Sequence, residues 1–196
     1  MTDFRSLHHR PGQPLVLPNA WDVASARIIE KAGAAAIATT SAGVAWGLGT
    51  EDDGGLGQQE ALDVIARIVA AVGVPVTADV EAGYGDVEGT IRMVREAGAV
   101  GVNLEDGTAP TAEHTERIRT ARQVGGPELF VNARIDTYLR QLGDPETRLT
   151  ETLDRAAAYV AAGADGVFVP GVTDAATIAT LAKELTVPLN IMAGLD

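Results

Sequence analysis

Apolar residues in this chain fall in short unbroken runs, and longer stretches of helical period separate them. Val74-Pro75-Val76-Thr77-Ala78 and Ala99-Val100-Gly101-Val102 show no polar alternation, as expected of strands covered on both faces of a parallel sheet. The pattern predicts strands near 15–18, 35–40, 75–80, 99–105, 128–134, 165–170 and 187–192. It predicts helices near 22–32, 58–71, 86–97, 112–123, 146–162 and 174–185. Glycine and proline mark the junctions. Ala32-Gly33-Ala34, Ala97-Gly98-Ala99 and Ala162-Gly163-Ala164 each stop a helix just before an apolar run, because glycine takes the left-handed conformation that ends helices. Val72-Gly73-Val74-Pro75, Gly125-Gly126-Pro127 and Thr186-Val187-Pro188 place proline before or at the first strand residue, where its missing N–H is harmless.

Regular alternation of strand and helix implies right-handed crossovers and a parallel sheet. Seven strands are visible, and a closed barrel takes eight. The expected fold is therefore α/β, a (β/α)8 TIM-type barrel whose eighth β/α unit is missing from this sequence, in one domain over residues 1–196; an open sheet is the alternative. The stretch from Thr40 to Gly57 is the one long connection. It carries six glycines between 43 and 57 together with Glu51, Asp52 and Asp53, and it reads as a lid over the face where such barrels keep their active sites.

Composition narrows the function classes. With 46% hydrophobic residues but only 4% aromatics, the core must be built from Ala, Val, Leu and Ile. A net charge of −12 argues against nucleic acid, which calls for a basic surface. The absence of cysteine excludes disulfides, thiolate metal ligands and cysteine nucleophiles. No run of 18 apolar residues occurs and residues 1–10 have no apolar core, so a cytoplasmic protein with no membrane partner is expected.

The candidate chemistry lies at the strand ends. Asp52, Asp79, Glu81, Glu105 and Asp106 follow runs of small and β-branched residues. A buried strand gains nothing from ending in carboxylates, whereas a hard divalent cation needs oxygen ligands. Asp79 and Glu81, two apart on a strand end, would point to one side and share a cation. The plainer reading is a turn in which an aspartate caps the next helix. Glu105, at the end of the neighbouring strand, joins them, while Asp106 reads as a turn-former. Arg134 closes the fifth strand and would pair with a substrate carboxylate or with an acidic neighbour such as Asp136. Thr39, Thr40 and Ser41 offer hydroxyls and amides to an anion, or simply a helix cap.

Asp22 reads as an N-cap. His8 and His9 fall in a loose N-terminus, and His114 reads as a surface residue. Lys31 and Lys183, the two lysines, lie on outer helices, which leaves a Schiff-base mechanism no nucleophile.

Together, Pro18-Asn19-Ala20-Trp21-Asp22, Thr39-Thr40-Ser41-Ala42-Gly43-Val44-Ala45, Asp79-Val80-Glu81-Ala82-Gly83-Tyr84-Gly85, Asn103-Leu104-Glu105-Asp106 and Ala133-Arg134-Ile135-Asp136 resemble the isocitrate lyase/phosphoenolpyruvate mutase superfamily, in order and over nearly the whole chain. The resemblance implies a (β/α)8 barrel, assembled as a homo-oligomer (a tetramer), that uses Mg²⁺, or Mn²⁺ in its place, to hold a small 2-oxo acid or its enolate. By resemblance, Asp79 is the direct metal ligand, and Asp52, Glu81 and Glu105 hold metal-bound waters. Ser41, with the backbone of Ala42 and Gly43, matches the substrate-carboxylate site. Arg134 matches the arginine that neutralises the substrate, and Arg134 and Asp52 are the catalytic candidates.

One departure bears on chemistry. Superfamily lyases carry a Lys-Lys-Cys-Gly-His-type loop after the Glu-Asp strand, and here residues 107–114 read Gly-Thr-Ala-Pro-Thr-Ala-Glu-His. The expected function is a Mg²⁺-dependent lyase or hydrolase of an oxaloacetate- or phosphonopyruvate-like compound, acting through an enolate. A class II pyruvate aldolase and a non-catalytic oxalate- or pyruvate-binding barrel are the alternatives.

Overall fold

The computed structural model describes residues 3–10, 12–52 and 54–193. In chain order the elements are α1 (Phe4–Leu7), β1 (Asn19–Ala20), α2 (Val23–Lys31), β2 (Ile37–Thr39), α3 (Ser41–Gly47), α4 (Gln58–Ala71), β3 (Val76–Asp79), α5 (Val87–Ala97), β4 (Gly101–Glu105), α6 (Thr111–Gly125), β5 (Phe130–Arg134), α7 (Arg148–Ala161), β6 (Gly166–Val169), α8 (Ala175–Glu184) and β7 (Leu189–Ile191). The strands pair in sequence order, every pair parallel, as one curled sheet of a TIM-type α/β barrel. Among the described residues no ladder joins β7 to β1. Nor is any helix among them long and apolar enough to cross a membrane.

The helix boundaries follow from local chemistry. Asp22, Asp86 and Asp174 cap α2, α5 and α8 by accepting backbone N–H groups of the first turn, and Gly98 ends α5 at φ 85°. Apolar stripes on α4 (Ala61, Leu62, Ile65) and α5 (Ile91, Val94) pack on the outward side chains of β3 and β4, Ala78, Val102 and Leu104.

The inward side chains are stacked in layers. At the N-terminal end, Phe130 sits between Gly101 on β4 and Gly166 on β6. A Cβ at Gly166 would lie 3.0 Å from the Phe130 ring, and one at Gly101 3.1 Å from Phe4. In the middle, the Asn132 amide donates to Asn103 Oδ1 at 2.7 Å, and Asn190 donates to Asn132 Oδ1 at 3.2 Å across the glycine of β6. At the C-terminal end stand Asp79, Glu105 and Arg134.

Three expectations are corrected. The first strand forms at Asn19–Ala20, just past the apolar run at 15–18. The N-terminus is not loose: Phe4 and Leu7 are buried with Ala36 and Phe130, and His8 stacks on Phe130 at 4.2 Å between ring centres. The connection after β2 is not one irregular lid, because α3 occupies its first half, capped by Thr40. Asp53 lies outside the described residues.

Candidate active site

β3, β4 and β5 end side by side and bring their last side chains to one mouth of the barrel. Asp79 closes β3 half-buried; its N–H donates to Thr39 Oγ1 and its Oδ2 accepts the Ser41 N–H, both at 2.9 Å. Glu105 closes β4 and is buried. Arg134 closes β5 opposite it in register. Its Nη1 lies 2.8 Å from Glu105 Oε2, and its Nε lies 2.7 Å from Asp136 Oδ1. Burial opposes the Arg134 charge, but Glu105, Asp136 and Asp79 outweigh that opposition and raise its pKa.

The carboxylates are short of positive charge. Burial pushes Asp79 upward although Arg134 and the Ser41 amide oppose it, with Asp52 adding to the push. Burial likewise pushes Glu105 up to about 7 against the pull of Arg134, Asp136 and Asp79 adding to the effect. Tyr84 stands among them. Burial first, then Glu81, Asp79, Asp52 and Glu105 in turn, drive its phenol well above its usual range, so all four carboxylates are within electrostatic reach of one hydroxyl.

Glu81 reaches this place by another route than the one expected. β3 stops at Asp79, and Glu81 takes φ 48° in the turn that follows. The argument from strand alternation therefore does not apply. Its carbonyl accepts the Glu105 N–H at 2.9 Å, which ties the turn to β4. Left-handed backbone at a residue other than glycine is costly and is tolerated chiefly at functional sites.

Asp52 is exposed in the connection between α3 and α4. Ser41, Ala42 and Gly43 form the first turn of α3. The Ser41 amide is engaged by Asp79 and the Gly43 amide by Thr40 Oγ1 at 3.3 Å. Gly43 is also needed for packing, since a Cβ there would lie 2.9 Å from Trp21.

Among the described residues no three carboxylate or imidazole groups already converge as a metal cage. Mg²⁺ does not require one, because it is commonly held by one or two carboxylates with water completing its shell. The raised Asp79 and Glu105 carboxyls are groups that a cation would relieve.

Two residues differ from expectation, and a third was missed. Asp106 is not merely a turn-former. It is buried, and its carboxylate accepts from Asp136 N–H, Tyr159 OH and Arg155 Nη1, each at 2.9 Å. His114 is not at the surface: it is fully buried and meets Tyr159 edge-on at 4.6 Å. Burial, with the charges of Arg117 and Arg155, lowers it to about 3. The spacing of His114, Ile118, Ala121 and Gly125, all buried on α6, is a helical stripe that could have disclosed its position. Arg140, the missed residue, lies 3.1 Å from Asp136 and 3.7 Å from Glu105.

Comparison with known proteins places the chain in a family. The family profile described as phosphoenolpyruvate phosphomutase matches residues 4–196. The chain belongs to the phosphoenolpyruvate mutase/isocitrate lyase superfamily. Within this superfamily of lyases and mutases it is 41% identical over 195 residues to the uncharacterised protein Rv1998c of Mycobacterium tuberculosis, covering 96% of this chain and 73% of that one. It is 34% identical over 167 residues to 2,3-dimethylmalate lyase of Eubacterium barkeri, covering 79% of this chain and 58% of the lyase. The solved structure of oxaloacetate acetylhydrolase in complex with the product oxalate superposes with a TM-score of 0.86 at 26% identity, over 96% of this chain and 70% of that one. The chain thus spans less than two thirds of the length of the dimethylmalate lyase.

Proposed function

We propose that the chain acts as a Mg²⁺-dependent lyase or hydrolase on a small 2-oxo carboxylate or phosphonate, oxaloacetate- or phosphonopyruvate-like, through an enolate. The observation that carries this reading is the meeting of Asp79, Glu105 and Arg134 at the ends of three consecutive strands, where burial keeps the Asp79 and Glu105 carboxyls raised despite the nearby guanidinium groups of Arg134 and Arg140. Asp79, Glu81 and Glu105 would hold Mg²⁺, and Mn²⁺ in its place. When bound, the metal supplies positive charge beside the oxygen on which the enolate charge develops.

Arg134 needs no rearrangement to act. Its guanidinium is already oriented by Glu105 and Asp136, so its positive charge is preorganised for a substrate carboxylate or enolate oxygen. Ser41, with the backbone of Ala42 and Gly43, binds the substrate carboxylate at the start of α3, and Asp52 approaches from the connection beyond it to place water. The turn after Glu105 is tight, with Ala109 N–H on the Asp106 carbonyl at 2.8 Å, and residues 107–112 contain no ionisable side chain. The reading therefore favours a bond cleavage whose proton comes from water. By the same resemblance the enzyme would assemble as a homo-oligomer, a tetramer, which light scattering tests, and the lack of any long apolar run in the sequence fits a cytoplasmic protein.

Calorimetric titration with oxalate, a mimic of the pyruvate enolate, tests the site. Binding should require Mg²⁺ and should vanish in Asp79→Ala, and a screen of 2-oxo acids for pyruvate release should then identify the substrate. Absence of oxalate binding with and without Mg²⁺ would overturn the reading. Aldehyde-dependent condensation of pyruvate would replace it with an aldolase.

A further inference from the structure

We propose that Asp106 is a positioning residue that sets the place of Arg134 from outside the barrel wall. The inference rests on the reading of Arg134 as the group that meets the substrate. Asp106 clasps the end of β5 on both sides of Ile135: its N–H donates to the Arg134 carbonyl at 3.1 Å, and its Oδ1 accepts the Asp136 N–H at 2.9 Å. Asp136 returns the constraint through its side chain, whose two oxygens take Arg134 Nε at 2.7 Å and Nη2 at 3.2 Å. One carboxylate fixes the backbone from which Arg134 springs, and the next fixes its guanidinium.

Asp106 is itself anchored from α7. Its Oδ2 accepts Tyr159 OH and Arg155 Nη1, both at 2.9 Å. Arg155 also reaches Glu151 and the Ala109 carbonyl. His114, buried on α6, packs edge-on against the Tyr159 ring. Asp106 and Asp136 are almost inaccessible to solvent, at 1% and 0% exposure. A chain needing only to hold α7 on the sheet could do so with apolar contacts at no loss, since buried ion pairs contribute little net stability. What a charged clasp adds is a fixed direction. Here it runs from α7, through Asp106 and Asp136, to the guanidinium at the mouth.

Two variants test this, read by the NMR signal of the Arg134 side-chain Nε–H, assigned by its disappearance in Arg134→Lys. Asp106→Asn removes the anion that Arg155 and Tyr159 hold, and Tyr159→Phe removes one donor while keeping the ring. Wild type should show a slowly exchanging Arg134 signal. In both variants it should shift toward that of free arginine, with solvent exchange faster by about tenfold, the loss expected of a hydrogen bond to a charged group. The Arg122 Nε–H, which donates to Gly163 O at the opposite end of the barrel, should not move. With Mg²⁺ present, Asp106→Asn should also weaken oxalate binding by about tenfold, and the loss should disappear on an Arg134→Lys background, as coupled residues require.

An unchanged Arg134 signal in a folded variant overturns the proposal. So does a loss of oxalate affinity that persists in full without Arg134. If Asp106→Asn fails to fold, Tyr159→Phe decides alone by the same readings. A wild-type protein that ignores oxalate overturns the functional reading of the site, and the ligand-free signal still decides the positioning role.

Discussion

The two mouths of the barrel are made from the same strands and answer to different demands. At the N-terminal mouth, Phe4, Leu7, Ala36 and Phe130 close the opening. The carboxylate beside them, Asp165, accepts from Arg5, Arg122 and the Val131 N–H. That carboxylate is fully compensated, with two guanidinium groups on it. At the C-terminal mouth, Asp79 and Glu105 are pushed upward by burial, and Glu81 is held in a costly backbone conformation. The first mouth is arranged for stability. The second tolerates strain and excess negative charge, in keeping with the cation site proposed for it.

Substitutions should separate the two ends. Phe130→Ala at the closed mouth should cost about 3–5 kcal/mol in urea unfolding, yet leave the affinity for oxalate with Mg²⁺ unchanged. Asp79→Asn at the open mouth should do the reverse: oxalate binding weakened by about a hundredfold or more, with stability equal to or above wild type, because the substitution removes a charge that burial disfavours. If Phe130→Ala loses binding as well, the two ends are not independent.

Acidity should sharpen the contrast. Glu105 holds its proton up to about 7 in the folded chain, against 4.5 for the ordinary carboxyl, so the folded state binds that proton more tightly. Its contribution is fully present below 4.5 and is lost as pH rises through 7, a loss of roughly 3 kcal/mol. Urea unfolding at several pH values should show this slope in wild type, and Glu105→Gln should flatten it. At the other mouth His8 is shifted downward, chiefly by burial. Its contribution is present above 6.5 and is lost as pH falls below that value, a smaller effect that His8→Gln should remove. Slopes of the same sign at both ends would contradict the contrast.

Much of this was legible in the sequence. Gly98 and Pro127 punctuate the chain so regularly that the long helices fall within two residues of where periodicity places them. Glu105 and Arg134 stand at strand ends as their flanking runs imply. What stayed hidden depends on distant residues. The burial of Phe4 depends on space left by Gly101, almost a hundred positions away. α3 is built from Ser-Ala-Gly-Val-Ala-Trp-Gly, which has no polar face to give it a helical period. Asp106 looks like any turn aspartate until Tyr159 and Arg155, one helical turn apart on α7, close over it. Glu81 was expected on the strand and lies in the turn after it, because nothing in its neighbours announces that the strand ends two residues earlier.

That backbone at Glu81 carries a consequence for anyone who improves this protein by selection. Glycine at 81 would adopt φ 48° without penalty, and Glu81→Gly should raise the melting temperature by relieving about 1 kcal/mol of strain. It would also delete a carboxylate from the mouth. A library screened for heat resistance alone should therefore enrich glycine at this position and drift toward robust, inert barrels.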